Sequence, residues 1–219
     1  MPAPAFTTSE IGAGRILFAA DWRFVAAASS AASLPAMKGA EVACVGRSNV
    51  GKSSLINALT NQGALARTSR TPGRTQELIF FASDDHLTLV DMPGYGYAAA
   101  PKAKVAAWTD LIHAYFKGRA NLKRVYVLLD ARRGLSPADD PVLEALDNAA
   151  VSYQLVLTKA DEIALAELAA GLDAVVAALA AHPAAHPEVL ATSAKSGAGI
   201  PELRAAIAKL IARPRMHPP

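Results

Sequence analysis

The chain has 219 residues, of which 52% are hydrophobic and 19% are charged, enough apolar surface for one domain with a sizeable core. This balance argues against extensive disorder, because disordered chains are poor in apolar residues and rich in charge. Lys and Arg exceed Asp and Glu by 22 to 19, and the net charge of +3 permits a nucleic-acid partner without requiring one.

The sequence predicts neither a signal peptide nor a membrane-spanning helix. Residues 1–15 lack a basic start followed by an unbroken apolar stretch, so no signal peptide is predicted. The most apolar long window, residues 163–181, has helical apolar spacing and two acidic residues, which favours a helix on a core. The single Cys44 lies in an apolar run and is expected to be a buried strand residue rather than a reactive thiol. We expect a cytosolic, monomeric protein without membrane insertion.

Residues 1–38 differ from the rest and are predicted to form an N-terminal arm laid across a main domain at residues 39–219. The arm contains a short helix or strand around residues 15–20, and an aromatic pair, Trp22 and Phe24, that would hold it in place. The proline-rich residues 213–219 are expected to form a loose tail.

From residue 41 onward, apolar strand patterns alternate with helical patterns. The predicted elements, in chain order, are a strand at Glu41–Val45, a helix at Lys52–Thr60, strands at Glu77–Ala82 and His86–Asp91, a helix at Lys102–Phe116, a strand at Arg124–Asp130, a helix at Pro137–Ala149, a strand at Tyr153–Thr158, a helix at Glu162–Ala180, a strand at Glu188–Ala191 and a helix at Ile200–Ala212. Such alternation predicts an α/β fold with a mainly parallel, six-stranded sheet and helices on both faces. Residues 83–85 alone separate the second and third strands, so these two must form an antiparallel hairpin.

The stretch GRSNVGKSS lies between the first strand and the first helix, which is the context of a phosphate-binding loop. Its glycines let successive backbone N–H groups point at phosphates, and the helix adds its positive end. Lys52 would reach the terminal phosphates, and Ser53 would place a hydroxyl on Mg²⁺. The alternative, a glycine turn with a coincidental Lys-Ser, is disfavoured by the flanking elements. The residues assigned to the nucleotide here are Gly46, Arg47, Ser48, Asn49, Val50, Gly51, Lys52, Ser53 and Ser54.

Two further motifs are predicted beside the phosphates. DMPG ends the third strand, where Asp91 can hold Mg²⁺ through water and the Gly94 N–H can contact the terminal phosphate; a plain turn is the alternative. In the polar loop TSRTPGRTQ, a threonine can complete the magnesium shell while that phosphate is present. Thr75 is the first choice, Thr71 the lesser candidate, and a solvated turn the alternative. The residues assigned to the nucleotide in these motifs are Gly73, Arg74, Thr75, Asp91, Met92, Pro93 and Gly94.

The motif TKAD at the end of the fifth strand predicts which base is bound. The Asp161 carboxylate can accept hydrogen bonds from N1–H and the exocyclic amine of guanine, whereas adenine offers neither donor on that edge. The Ala194 N–H, after the sixth strand, can donate to the guanine O6. The residues assigned to the base are Thr158, Lys159, Ala160, Asp161, Thr192, Ser193, Ala194 and Lys195. Motifs in this order, each at the carboxyl end of a strand, are specific for a guanine nucleotide and disfavour a P-loop kinase or ATPase.

With these motifs, residues 22–212 resemble the EngB (YsxC/YihA) family of bacterial GTPases, in the translation-factor-related (TRAFAC) class. DMPGYGYA together with TPGRTQ is the discriminating part. The resemblance implies a P-loop GTPase fold, Mg²⁺-dependent GTP hydrolysis to GDP, and a role in assembly of the large ribosomal subunit. It also implies an association with cell division and septation.

Two residues bear on the rate of hydrolysis. Tyr95 follows Gly94 where many GTPases have a glutamine that orients the attacking water, so slow intrinsic hydrolysis is predicted. Asn49 resembles an asparagine that related GTPases use to hold K⁺ beside the phosphates; the alternative is a residue capping its own loop. The assigned catalytic residues are Lys52, Thr75 and Asn49, and the assigned metal ligands are Ser53, Thr75 and Asp91.

Two groups of basic residues could contact ribosomal RNA phosphates or simply be solvated. The first is Arg47, Arg67, Arg70 and Arg74, and the second is Lys117, Arg119, Lys123 and Arg124. Trp22 and Trp108 could stack on bases, although packing is favoured. The leading hypothesis is a GTP-hydrolysing switch, and the alternative is a nucleotide-gated RNA-binding or ribosome-binding scaffold with negligible turnover.

Overall fold

The computed structural model describes residues 6–66, 77–84, 86–95 and 102–212, with residues 102–109 described by their backbone alone. The elements in these segments are α1 (Thr8–Phe18), β1 (Trp22–Ala28), β2 (Ala40–Gly46), α2 (Lys52–Thr60), β3 (Leu78–Ser83), β4 (Leu87–Asp91), α3 (Lys102–Gly118), β5 (Leu122–Asp130), α4 (Asp140–Asn148), β6 (Tyr153–Thr158), α5 (Leu165–Ala178), β7 (Leu190–Ala191) and α6 (Ile200–Ile211). None of these helices combines the length and the apolar content needed to cross a membrane.

The strands form a single sheet in the order β1-β3-β4-β2-β5-β6-β7. From β4 through β7 the neighbours are parallel, whereas β3 pairs antiparallel with both β4 and β1. The predicted α/β class and the β3–β4 hairpin are therefore confirmed. The predicted count of six strands is wrong, because β1 adds a seventh strand at the edge beside β3.

The additional strand comes from the segment assigned to the N-terminal arm. Trp22 is 3% exposed and stacks on Phe18 with ring centroids 5.4 Å apart, so it packs in the core instead of offering a base-stacking surface. Phe24 is 58% exposed and does not hold the segment down as predicted. Of the helix or strand predicted around residues 15–20, the structure has the helix, and it begins earlier, as α1, where Thr7 and Glu10 form a capping box. A domain division at residue 38 stays a prediction.

Helices cover both faces of the sheet, as predicted. Residues of α3, α4 and α5, such as Leu111, Leu143 and Val175, belong to the apolar core on one face. Residues of α1, α2 and α6, such as Phe18, Leu55 and Leu203, belong to the core on the other. Close packing at Gly14 of α1 requires glycine, because an added Cβ would lie 2.6 Å from the Ala205 nitrogen of α6.

A buried polar cluster joins α3 to β2 at the edge of the sheet opposite the carboxyl ends of the parallel strands. Glu41 accepts hydrogen bonds from the Tyr115 hydroxyl at 2.6 Å and from the Arg119 guanidinium at 2.6 and 3.2 Å. Arg119 also donates to the Pro35 carbonyl at 2.7 Å. Arg119 is therefore a structural ion-pair partner and is removed from the predicted basic surface.

Candidate nucleotide-binding site

The predicted nucleotide motifs in the described segments follow the carboxyl ends of neighbouring parallel strands. β2 leads into the phosphate-binding loop, β4 into DMPG, β6 into TKAD and β7 into the Ser193–Lys195 segment. Since the carboxyl ends of parallel strands meet at one edge of a sheet, the chain brings these motifs together.

The phosphate-binding loop has a backbone that depends on small residues. An added Cβ at Gly46 would lie 2.8 Å from the Leu128 carbonyl oxygen, and Gly51 adopts a φ of +101° at the start of α2. Asn49 has a φ of +64°, a left-handed conformation that asparagine tolerates. The loop is also fixed from β6, because the Thr158 hydroxyl donates to the Val50 carbonyl at 2.6 Å. A curled loop that opens α2 is the arrangement that presents backbone N–H groups to phosphates.

The assigned metal ligands Ser53 and Asp91 lie on adjacent elements. Ser53 is in the first turn of α2, and the Asp91 carboxylate, at the end of β4, forms an ion pair with Lys52 Nζ. Lys52 and Asp91 therefore face each other across the start of the helix. A hydroxyl and a carboxylate are oxygen donors that suit Mg²⁺, so the chemistry of Ser53 and Asp91 fits the predicted metal. The third assigned ligand, Thr75, lies outside the described residues, as do Gly73, Arg74 and Thr71.

The DMPG segment continues β4 alongside the phosphate-binding loop. Met92 is buried and its N–H donates to the Cys44 carbonyl at 3.0 Å, and Pro93 is buried after it. Gly94 packs so closely that an added Cβ would lie 3.1 Å from Ser48 Oγ. Glycine at position 94 thus lets the backbone of this segment lie directly against Ser48 of the loop.

At the other end of the loop lies a pocket of about 580 Å³, within the usual size of a small-molecule site. Its lining includes Gly51, Ser54, Thr158, Lys159, Asp161, Thr192, Ala194 and Lys195. All eight were assigned to the nucleotide from the sequence. The structure adds Asn57, Asn61 and other residues of α2 and the segment after it to the same wall.

Two motifs form the base side of this pocket and are held to each other. The Ala160 N–H donates to the Thr192 carbonyl at 3.1 Å, so TKAD and the segment after β7 are tied by their backbones. The exposed Asp161 carboxyl is hydrogen-bonded to the buried Ser193, and this bond lowers the pKa of Asp161. The ionised form is the one that can accept from two donors.

Lys159 bridges the base side and the phosphate-binding loop. Its backbone is left-handed, with a φ of +57°, and its Nζ donates to the Asn49 carbonyl at 2.8 Å and to the Asp130 carboxylate at 2.9 Å. Hydrogen bonds from Arg132 and then from Lys159 hold the pKa of Asp130 well below its usual range. The Lys159 ammonium group is therefore held between the phosphate-binding loop and the end of β5.

The family of the chain follows from comparison with known proteins. The family model described as "50S ribosome-binding GTPase" matches residues 41–159, more than half of the chain. The "Probable GTP-binding protein EngB" of Rhodopseudomonas palustris (strain TIE-1) is 64% identical over 200 residues, covering 90% of this chain and 93% of that protein. Its counterpart in Nitrobacter hamburgensis is 62% identical over 200 residues, covering 90% and 92%. The chain belongs to the EngB family of GTP-binding proteins.

Solved structures support the same P-loop GTPase fold. The crystal structure of a probable GTP-binding protein EngB matches with a TM-score of 0.61 and 26% identity, covering 78% of this chain and 98% of that one. A single-residue variant of Aquifex aeolicus Era bound to GDP·AlF4⁻ matches with a TM-score of 0.66 at 22% identity, covering 83% and 60%. Era in complex with MgGDPNP and nucleotides of 16S ribosomal RNA has a TM-score of 0.61 at 24% identity, covering 84% and 60%. The two Era structures show likeness of fold alone.

Sequence reasoning missed the side chains that support the EngB-family motifs from behind. Asp130 was predicted only as the end of a strand, yet it holds Lys159 and accepts two hydrogen bonds from the Arg132 guanidinium, at 2.6 and 2.8 Å. Asp139 was given no role, yet it accepts a hydrogen bond from the Tyr95 hydroxyl at 2.8 Å. The available signal for Asp130 was a carboxylate at the carboxyl end of a strand next to the TKAD strand.

The predicted basic groups are only partly available as surface. Arg47 donates to Ser136 at 3.3 Å, and Arg124 donates to Ser152 and Gln154 at 3.3 and 3.0 Å. Lys117 and Lys123 are exposed. Arg67, Arg70 and Arg74 lie outside the described residues, as does the side chain of Trp108.

Proposed function

We propose that this EngB-family protein is a Mg²⁺-dependent GTP-hydrolysing switch that acts in assembly of the large ribosomal subunit. The observation that carries the nucleotide part is a single pocket, which is lined by Asp161 and Ala194 from the base motifs and by Gly51 from the phosphate-binding loop. A carboxylate for the guanine donors and a backbone N–H for O6 would leave adenine with unsatisfied polar groups, which is costly in a closed site.

The phosphates would be held by the loop and by α2. On nucleotide binding, Lys52 exchanges its contact with Asp91 for the terminal phosphates and stabilises the charge that develops there, together with the loop N–H groups. Ser53, Asp91 and Thr75 would hold Mg²⁺, which neutralises phosphate charge and fixes the orientation of the terminal group. In the reaction, water attacks the terminal phosphorus and the bond to the bridging oxygen breaks, leaving GDP and phosphate.

Slow intrinsic hydrolysis fits the position of Tyr95. Its side chain is 7% exposed and its hydroxyl is bonded to Asp139, so the residue that follows Gly94 does not reach out to orient a water. This same observation favours the second candidate function, a nucleotide-gated scaffold for RNA or the ribosome with negligible turnover.

The ribosomal part of the proposal is supported by the description of the matching family model and by exposed lysines. The name "50S ribosome-binding GTPase" belongs to the family model, and Lys117 and Lys123 offer positive charge for RNA phosphates. The proposal includes the association with cell division and septation that the family resemblance implies, and a cytosolic location.

The first experiment is co-sedimentation with purified large ribosomal subunits in K⁺ buffer, with a non-hydrolysable GTP analogue or with GDP. Binding with the analogue and not with GDP is expected. Raising the salt should weaken binding steeply if RNA phosphates are contacted. Equal binding in both states, or none, would contradict the ribosomal switch while leaving guanine-nucleotide binding intact.

The two candidate functions are separated by turnover. Phosphate release is measured with and without large subunits, with small subunits as the matched control. Stimulation by large subunits supports the switch, whereas subunit binding without any added turnover supports the scaffold.

A further inference from the structure

The Tyr95 side chain ends at a buried carboxylate outside the predicted motifs. Its hydroxyl donates to Asp139 Oδ1 at 2.8 Å, and Asp139 is 0% exposed. The other oxygen, Oδ2, accepts from the Ser136 N–H at 2.9 Å and from the Ser136 hydroxyl at 2.8 Å. We call Tyr95, Ser136 and Asp139 the Tyr95 anchor.

The backbone of Tyr95 is hydrogen-bonded to the phosphate-binding loop. Its N–H donates to the Gly46 carbonyl at 3.3 Å, and its carbonyl accepts from the Ser48 N–H at 3.3 Å. These bonds form a parallel bridge between position 95 and Arg47 of the phosphate-binding loop. Fixing Tyr95 therefore fixes the orientation of the peptide unit before it.

The peptide unit just before Tyr95 contains the Gly94 carbonyl, and the Gly94 N–H that is predicted to contact the terminal phosphate lies one peptide unit further toward Pro93. Gly94 is thus held from the Tyr95 side by these bonds and, two residues earlier, by the Met92 N–H, which donates to the Cys44 carbonyl at 3.0 Å. Gly94 lies against the loop, where an added Cβ would be 3.2 Å from the Ser48 nitrogen. The anchor also reaches the loop through a side chain, because Arg47 donates to the Ser136 hydroxyl at 3.3 Å. One partly buried network thus joins the β5–α4 segment, the phosphate-binding loop and the residue after Gly94.

The hydrogen bond between the Tyr95 hydroxyl and the Asp139 carboxylate suits a side chain that is held in one position. Burial, followed by the charge of Asp139 and the hydrogen bond to it, raises the pKa of the Tyr95 phenol, so the hydroxyl remains a donor at physiological pH. The carboxylate has its donors supplied by protein groups, which is the condition for a buried charge to be stable.

We propose that the Tyr95 anchor positions the Gly94 N–H for the terminal phosphate and thereby sets how strongly the protein prefers GTP over GDP. The proposal rests on the proposed guanine-nucleotide function. Tyr95 acts here through Gly94 and is a positioning residue. GDP lacks the terminal phosphate, so loosening the anchor weakens GTP binding and leaves GDP binding nearly unchanged.

The test is Tyr95→Phe, which removes one hydroxyl and leaves the ring. The chain offers a matched control in Tyr115→Phe, because Tyr115 is also buried and also donates to a buried carboxylate, Glu41, at 2.6 Å. In both variants the carboxylate keeps donors from another residue, Ser136 or Arg119. Asp139→Asn tests the same bond from its other side.

Calorimetric titration measures the affinities for a non-hydrolysable GTP analogue and for GDP, and urea unfolding measures stability. Loss of one hydrogen bond to a charged group predicts about a tenfold fall in the preference for the GTP analogue in Tyr95→Phe. Asp139→Asn should shift the preference in the same direction. Tyr115→Phe should lower stability and leave the preference unchanged.

An unchanged preference in both anchor variants would overturn the proposal while leaving the guanine-nucleotide function standing. An equal change in Tyr115→Phe would also overturn it, since the effect would then be one of general stability. If the wild-type chain binds neither nucleotide, the proposed function fails as well, and this outcome is distinct from the other two.

Discussion

The nucleotide-binding site has a base end, formed by TKAD and the segment after β7, and a phosphate end, formed by the phosphate-binding loop and DMPG. The residues of the two ends are held in place differently. At the base end, Asp161 is hydrogen-bonded to Ser193, the Ala160 N–H donates to the Thr192 carbonyl, and Lys159 donates to the phosphate-binding loop. At the phosphate end, the Lys52–Asp91 pair and the Tyr95 anchor hold the described residues, and Thr75 lies outside them.

This difference separates two properties under the proposed function. Contacts to the base are the same for GTP and GDP, so the base end sets affinity. Contacts to the terminal phosphate exist for GTP alone, so the phosphate end sets the free-energy difference between the two states. In such a protein, the preference for GTP over GDP can change while the affinity for guanine nucleotides is kept.

The largest expected effect is at the base end, in Asp161→Asn. The amide offers a donor where guanine also has donors, so affinity for the GTP analogue and for GDP should fall about a hundredfold or more. Affinity for xanthine nucleotides should rise, which also shows that the variant is folded. Competitive titration with GTP, GDP and XTP measures the change. Unchanged GTP affinity would contradict the base assignment.

The next effect belongs to the phosphate end and concerns rate. If Asn49 helps to hold K⁺, hydrolysis should be at least about tenfold faster in K⁺ than in Na⁺ at equal ionic strength, because fixed positive charge stabilises the developing phosphate charge. Asn49→Gly should abolish that difference, and glycine adopts the left-handed backbone at position 49 without the strain that alanine would introduce. The affinity of this variant for GDP serves as the control and should change little, since the Asn49 carbonyl that binds Lys159 is kept. Equal rates in the two salts would leave Asn49 as a loop-capping residue.

Asp130→Asn tests whether the two ends are independent. The variant loses the charge that holds Lys159, so affinity for the GTP analogue and for GDP should fall together, by about tenfold, and their ratio should stay constant. The measurement is the same titration used for Tyr95→Phe, and the two variants are each other's controls. A change in the ratio would mean that Lys159, through the Asn49 carbonyl, also controls the phosphate end.

The features predicted from sequence are those coded by short local patterns. The phosphate-binding loop, the β3–β4 hairpin and TKAD each depend on a few consecutive residues. The predicted motifs that lie in the described residues follow the carboxyl ends of the parallel strands. β1 was missed because its sequence, WRFVAAA, is alanine-rich and its central residues are largely exposed, which leaves no alternating strand pattern.

Other misses required knowledge of long-range pairing. Asp130 faces the TKAD strand only because β5 and β6 are neighbours in a register that pairs Asp130 with Thr158. Arg119 is removed from the basic surface by Glu41, 78 positions away along the chain. Such contacts depend on the assembled sheet: the sequence places the Asp130 carboxylate at the end of a strand, but it does not show which strand lies beside it.

The smallest expected effect concerns Cys44, which precedes the phosphate-binding loop and pairs with Asp91 in the sheet. Burial, and then the negative charge of Asp91, raise the pKa of its thiol to about 12. In the unfolded chain the pKa is about 8.5. The contribution of the neutral thiol is therefore fully present below that pH and is lost as pH rises toward the folded pKa.

Between pH 8.5 and 10, the wild type should lose stability relative to Cys44→Ala by up to about 1.4 kcal/mol per pH unit. Urea unfolding at pH 8.0 and 9.5 with a reducing agent measures the free energy of unfolding of the wild type and of Cys44→Ala. Because both proteins have the same other ionisable groups, the effects of those groups cancel in the comparison. Parallel pH profiles would contradict the buried, neutral thiol. The rate at which Cys44 is alkylated at pH 8 is a second measurement, because the thiol lies next to the phosphate end of the site. Bound nucleotide should slow the alkylation. The GTP analogue should slow it more than GDP does.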